Sequence, residues 1–411
     1  MYRILFLIIF VFLISPENVA AQNFTASFIK SVSFNSIENH NPIIALGERF
    51  LVSFDDLEAD QKDYHYLIQH CNYNWEISDI QTTEYMDGYA SFDVLEFENS
   101  FNTYQNYTHH YFEIPNRNSR IKISGNYLLT VLNSNDEICF QRRFVLYEPK
   151  VAIAAKTVRD RNLKDIDQKQ VVQFSIYHPN VIINNPKREL KVVILQNRDW
   201  NFTKRNLVPQ FYKKNEIVYN YNDETSFYGN NEFLNFDTKN VNGANVSIIR
   251  TVLEDHYYNS YLFPTIARRF VPYTYFPDIN GGFTIRTLNG DNSATESEYS
   301  DIHFFLEANG IDPNTDNIYI YGAFNNYACN AENRMVFNDK SNYFENTLTL
   351  KQGFYNYTYV TVQKDNSINL HAVQGSYQET ENSYTILVYY KPFGERIGKI
   401  VGMAEISSKP F

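Results

Sequence analysis

Cysteine is scarce in this chain: Cys71, Cys139 and Cys329 are the three in 411 residues, and none sits in a CxxC pair or at a Cys/His spacing that holds zinc. There is no G-x-S-x-G elbow, no HExxH and no Walker loop, so the common sequence signatures of hydrolase, zinc-protease and nucleotide chemistry are missing. No basic cluster occurs and the formal net charge is −11, which argues against a nucleic-acid partner. Beyond residue 14 no stretch approaches the ~18 apolar residues a membrane helix needs. Tryptophan appears only at Trp75 and Trp200.

Aromatics of the other two kinds are abundant, with 33 Tyr and 32 Phe, a composition too apolar for disorder. Aromatic and β-branched residues favour strands, and 13 Pro with 15 Gly supply turns, so the expected class is all-β. The N-terminus reads as a secretory signal peptide over residues 1–21. Met1-Tyr2-Arg3 is the charged end, Ile4 to Ile14 the apolar run, and Val19-Ala20-Ala21 the small residues before a cut at Gln22. No Cys follows the apolar run to carry a lipid anchor, so the mature chain is expected to be exported and soluble.

Three consecutive immunoglobulin-like or early-set β-sandwich domains account for the remainder. The first spans residues 22–147. Tyr127, Leu129 and Val131 alternate with Asn126, Leu128 and Thr130 as a strand with one buried face should, and Cys139 to Leu146 returns as its hairpin partner. The second spans 148–277, with Val171 to Tyr177, Leu190 to Gln196, Ile217 to Tyr221 and Val246 to Val252 as strands and a long aromatic loop from Asn222 to Asn245. A connector occupies 278–299, and the last sandwich 300–411, ending in the alternating strand Ser383 to Tyr390. In an exported chain Cys71 and Cys139 could oxidise to a disulfide; two buried free thiols are the alternative.

Catalytic and metal chemistry finds little support. Asp55-Asp56-Leu57-Glu58, Asp223-Glu224 and Glu379 with Glu381 could pair carboxylates, but adjacent loop acids are usually solvated surface. His109-His110 and His65 with His70 could bind a metal, but His65 and His70 lie at odd spacing on a strand and point to opposite faces. No nucleophile, base and oxyanion hole assemble, so we expect no catalytic residues, no metal and no cofactor.

The most informative stretch is His70 to Thr103, dense in aromatics, Asn and acids between two strand-like runs. Its HCNYNW, followed by EYMDGY, FENSFNT and YTHHYFEIPN, resembles the first domain of the type IX secretion system plug proteins of the Bacteroidota. The resemblance continues through Ser124–Asn133 and Arg142–Pro149, then at Phe227–Phe233, Asp278–Gly281 and Tyr319–Asn326. It implies a non-enzymatic periplasmic protein that closes the inner mouth of the large outer-membrane translocon barrel, its partner. Tyr73, Trp75, Tyr85, Asp87 and Tyr89 are then the candidate partner contacts, with Trp75 open to a second reading as a packed anchor.

The last domain has a resemblance of its own. YGAFNNY, an FENTLTL strand, a KQG turn and YNYTYV are similar to glycogen-binding modules of early-set fold. That implies Tyr327 as a sugar-stacking platform, and makes a periplasmic carbohydrate-binding protein the alternative function. The second stacking Trp expected near Asp365 to Leu370 is missing, which argues against glycan binding.

Overall fold

The hairpin read from alternation is present: Gly125–Asn133 and Ile138–Tyr147 pair antiparallel, Gly125 opposite Leu146 and Val131 opposite Phe140. A computed structural model describes residues 24–35, 42–89, 91–243, 245–313 and 315–408; the segment read as a signal peptide lies outside them. No helix among these residues is long and apolar enough to cross a membrane.

The first sandwich packs the sheet Ile29–Asn35, Phe50–Asp56, Thr108–Ile114 and Glu96–Asn99 against the sheet Ile43–Ala45, Ile138–Tyr147, Gly125–Asn133, Tyr64–Cys71 and Ser91–Val94. Its core is aromatic, with Phe34, Phe50, Phe54, Tyr66, Tyr127 and Phe144 buried together. One expectation changes here. Asn126, Leu128 and Thr130 were to face water, yet they are buried too. Tyr127, Leu129 and Val131 fill the core, while Leu128, Cys71 and Val145 on the opposite face pack against Val193, Leu195 and Leu387 of the second sandwich. A strand with both faces covered no longer needs a polar side.

Cys71 and Cys139 are free thiols, not a disulfide. Cys71 lies opposite Asn126 and Cys139 beside the irregularity at Val131/Leu132, so five or so residues of strand, roughly 17 Å, separate them. A disulfide tolerates about 7 Å between Cα atoms. Burial pushes the thiols up, Cys71 to about 12 and Cys139 to about 11, which keeps both protonated.

The larger correction concerns the order of the later domains. The strand Ser383–Tyr390, expected in the last sandwich, pairs along its length with Leu190–Gln196, and Lys399–Ser407 pairs with it in turn. These strands complete the second sandwich, opposite Ala152–Arg159, Lys169–Tyr177, Glu216–Tyr219 and Phe211–Lys213. The third sandwich is therefore inserted into the second. It packs Leu234–Asp237, Gly353–Val362, Phe283–Ile285 and Asn317–Tyr321 against Ile248–Glu254, Tyr257–Leu262, Tyr299–Glu307, Tyr343–Lys351 and Val336–Asn338. The segment read as a connector supplies the strand Phe283–Ile285 and the buried Tyr299. The expected second-domain loop Asn222 to Asn245 contains two strands, Ser226–Tyr228 and Leu234–Asp237, one in each sandwich.

The two crossings between second and third sandwiches are bonded to each other. Tyr377 N donates to Asn230 O at 2.9 Å, Thr380 Oγ1 to the same carbonyl at 2.9 Å, and Asn382 Nδ2 to Gly229 O at 2.8 Å. A Cβ at Gly229 would lie 1.9 Å from Tyr377 O, so only glycine allows this approach.

Candidate interaction surface

The stretch singled out by sequence folds into a joint. Asn72 begins a tight turn, its Oδ1 accepting from Asn74 N at 2.8 Å and Glu76 N at 3.2 Å. The turn carries Trp75 into left-handed backbone at φ 68°, a conformation costly for a bulky residue and retained only where surroundings over-determine it. Those surroundings come from both sandwiches, Trp200 from the second and Arg143 from the first. Trp75 meets Trp200 edge to face at 4.7 Å, and the Arg143 guanidinium lies 4.9 Å over its ring. Tyr73 donates to Val192 O at 3.2 Å and packs edge-on against Tyr389 at 5.0 Å; Arg205 Nη1 donates to Tyr73 O at 2.9 Å. Tyr389 donates to Asn126 Oδ1 at 2.8 Å, and Asn126 Nδ2 to Asn72 O at 2.9 Å.

The five residues expected at a partner surface therefore separate. Tyr73 and Trp75 belong to the joint, and Trp75 is 7% exposed. Tyr85 is buried in the first core, where its hydroxyl donates to Ile68 O at 2.9 Å. Asp87 is exposed and paired with Lys122 at 2.9 Å, and Tyr89 is 73% exposed. Only the last two face solvent. The turn chemistry of His70–Trp75 was legible; that its aromatics point at another domain was not, because the pairing partner lies more than a hundred residues away.

A second joint ties the first sandwich to the third. Asp55 Oδ2 accepts from Lys351 Nζ and from the Tyr299 hydroxyl, each at 2.6 Å, and Oδ1 bonds His109 Nδ1 at 2.6 Å. Lys351 also donates to Ala294 O at 2.6 Å and sits 4.1 Å over the Tyr107 ring. Burial alone would push the Asp55 carboxyl up; the Lys351 ammonium and the imidazole of His109 more than offset it and hold it below its ordinary value. Asp55, one of the sequence candidates for paired carboxylates, is thus a structural counter-ion.

The neighbouring acids Asp56, Glu58 and Asp60 converge, but Lys62 Nζ already bridges them, at 3.1 Å from Asp56 and 3.0 Å from Asp60, with Glu58 as its third partner. The histidines do not converge. His110 stacks on Phe54, His65 pairs with Asp136 at 3.1 Å, and His70 bonds Ser78.

Tyr327 cannot serve as a sugar platform. It is 6% exposed, its ring packs on Tyr321 at 5.2 Å, and it lies beneath the Asp278–Gly282 turn, with its hydroxyl on Asn280 O at 3.4 Å. Two carboxylates flank it at the junction of second and third sandwiches, Asp199 buried and Asp278 half-buried. Asp199 accepts from the Tyr321 hydroxyl and from Asn201 N at 2.8 Å; Asp278 accepts from Phe233 N at 2.6 Å and Asn280 N at 2.7 Å. Burial pushes both up to about 7.

Sequence reasoning missed a run of exposed apolar side chains. Phe263, Ile266, Phe270, Val271, Tyr275, Phe276 and Ile279 are all exposed within one largely irregular segment, Phe270 by 75%. The backbone beneath them is pinned. Arg268 donates to Glu232 O at 2.6 Å, Arg269 to Ala372 O at 2.8 Å, and the Tyr377 hydroxyl to Val271 O at 2.5 Å. Arg268 is thus turned inward, while the Arg269 guanidinium lies 4.7 Å over the ring of exposed Phe270. A run of exposed apolar side chains on a pinned backbone marks a contact site. Its signal was present in the run of aromatics from Phe263 to Phe276 broken by Pro264 and Pro272, which reads as neither strand nor helix.

The fold and its joints define a class, an all-β body of three sandwiches braced against one another. Residues 29–148 match the family model of the type 9 secretion system plug protein 1st domain, and the first sandwich belongs to that family. The match associates the chain with a secretion system of the cell envelope, in a family that is not one of enzymes. A hypothetical protein of known crystal structure from Parabacteroides merdae is similar over nearly its whole length: the likeness covers 94% of this chain and 98% of that one, at 29% identity and a TM-score of 0.88. No curated protein matches the chain.

Proposed function

We propose that this protein is a non-enzymatic periplasmic plug that closes the periplasmic mouth of the type IX outer-membrane translocon barrel. The match of the first sandwich to the plug domain carries the reading. A barrel wide enough for folded cargo leaks solutes unless its lumen is filled or capped. A cap must hold its shape against that opening, and the braced sandwiches favour it: each pair is joined by buried aromatic, ionic or backbone contacts. The apolar strap around Phe270 and Phe276 is the surface best suited to seat against the rim, because its apolar side chains are exposed while its backbone is already ordered.

The test is affinity purification of the intact protein from its native envelope, alongside uptake of a small membrane-impermeant dye in cells lacking it. Recovery of a very large outer-membrane barrel and increased dye entry are the expected results. Phe270→Ser with Phe276→Ser should reduce recovery without altering the circular dichroism spectrum. Absence of the barrel from the purified complex together with unchanged dye entry would overturn the plug reading.

A further inference from the structure

Beside the joint of first and second sandwiches lies a cleft of about 570 Å³. Tyr73, Asn126 and Tyr389 form part of its lining, all three engaged in the joint itself. Four cationic side chains line it, Arg188, Lys191, Lys391 and Arg396, against two acids, Asp79 and Glu189. Glu189 does not face an incoming ligand: it is buried and accepts from Asn184 N at 2.9 Å and Asn185 N at 3.2 Å. Arg396 pairs with Glu84 at 3.1 Å, and Lys191 lies 4.6 Å over the Tyr73 ring. Arg188 and Lys391 are exposed, and their side chains have no hydrogen bond or ion pair with any described residue. In a chain of net charge −11 this local excess of cations is an exception.

A second observation lies in the lining. His70 is 2% exposed; its Nδ1 bonds Ser78 Oγ at 2.8 Å, but its Nε2 has no partner. That nitrogen is 2.5 Å from where a Cβ on Gly125 would lie, and His70 and Gly125 both line the cleft. The His70 ring packs on Tyr127 at 5.2 Å and Tyr85 at 6.0 Å in the first core, so His70 closes the floor of the cleft and leaves ligand recognition to the cations at its mouth. Around the cations are apolar surfaces, the exposed Ile77 in the lining and Phe393, 89% exposed, on the turn that carries Lys391 and Arg396.

We propose that this cleft receives an extended acidic segment of a partner protein, with its carboxylates on Arg188 and Lys391 and its apolar side chains against Ile77 and Phe393. The cations come from two separate elements, the helical turn Pro186–Glu189 with the start of strand Leu190–Gln196, and the hairpin tip at 391–396, with exposed Ile77 in the lining and Phe393 on the hairpin tip. That arrangement suits a peptide alternating carboxylate and apolar groups better than a lone inorganic anion. The inference goes beyond the plug reading by naming a site and its ligand chemistry, and rests on that reading only for the identity of the partner.

The experiment uses the full mature chain and fluorescence anisotropy of a fluorescein-labelled decapeptide of alternating Glu and Leu. An alternating Lys–Leu peptide is the control. The Glu–Leu peptide should bind at least about tenfold tighter than the control and weaken as salt rises. The double variant Arg188→Glu, Lys391→Glu should lose about tenfold or more with its melting curve unchanged, since both side chains are exposed. Equal binding by the variant, or complete displacement by millimolar inorganic phosphate at matched ionic strength, would overturn the proposal, the latter by reducing the cleft to an anion site. The same variant separates the two readings in cells. Barrel recovery unaffected by the substitutions removes the cleft and leaves the plug; peptide binding without any barrel recovery from the wild type removes the plug and leaves the cleft.

Discussion

Trp75 and Trp200, the chain's only tryptophans, meet edge to face at 4.7 Å and 83°, one from the first sandwich and one from the second. The contact makes the signature turn an internal fixture. Trp75→Ala should cost about 3–5 kcal/mol, as large buried aromatics do when truncated. Part of that is shared: a double-mutant cycle with Trp200→Ala should return about 0.5–1.5 kcal/mol of coupling in urea unfolding. Strict additivity would mean that the rings merely lie near each other.

Tyr85→Ala tests the relocation of the candidate contacts. Tyr85 is buried and hydrogen bonded to Ile68 O, so its loss opens the first core and should lower stability by about 3–5 kcal/mol. Tyr85→Phe removes only the hydroxyl and should cost about 1 kcal/mol. Tyr89→Ala, at an exposed site, should leave the urea midpoint unchanged. A Tyr85→Ala protein as stable as wild type would return this residue to the list of surface contacts.

These residues also show what could be read from the sequence and what could not. Alternation gave the strand Gly125–Asn133 and its hairpin partner, because side-chain direction along a strand is local. The same alternation could not say which sheet Ser383–Tyr390 joins. An amphipathic strand fits either sandwich, and its partner Leu190–Gln196 lies nearly two hundred residues earlier. Asp55 posed the same difficulty: next to Asp56 it reads as solvated acid, and only folding brings Lys351 to it. The Asn- and acid-rich stretch from His70 was legible as a break between two strand-like runs, whereas the burial of Trp75 depended on Trp200.

The Asp55–Lys351 pair gives a sharper test of the joint between first and third sandwiches. Both side chains are almost fully buried. Lys351→Met keeps most of the volume but leaves a buried carboxylate with His109 and Tyr299 as its remaining partners. Breaking a buried pair from one side costs about 3–5 kcal/mol. Replacing both partners, Asp55→Leu with Lys351→Met, should recover much of that, because an apolar pair is often as stable as a buried ionic one. Urea midpoints of the two variants check this; a double variant worse than the single one would show that the charges orient the domains beyond their pairing energy.

The junction of second and third sandwiches should respond to pH in the opposite sense from that pair. Burial raises Asp199 and Asp278 to about 7, while an unfolded chain titrates aspartate near ~3.9. Between those values the folded protein holds protons that the unfolded chain has released. Their stabilising contribution is therefore complete below pH ~4 and is lost as pH rises through about 7. Asp55 runs the other way: held below its ordinary value, it contributes stability above the unfolded pKa that is lost as pH falls through the folded one. From pH 5 to 8 the Asp55 contribution is constant, and the histidines held below their ordinary value, such as His70 and His110, contribute equally to both proteins, so wild-type stability should fall by about 1–3 kcal/mol relative to Asp199→Asn. Asparagine keeps one carbonyl oxygen to accept from Asn201 N, turns its amide NH2 toward the Tyr321 hydroxyl oxygen, and does not titrate, so the variant should show a flatter profile over the same range. Urea titrations at pH 5 and pH 8 decide the matter: parallel profiles for wild type and Asp199→Asn would mean that Asp199 keeps its charge in the folded junction despite its burial.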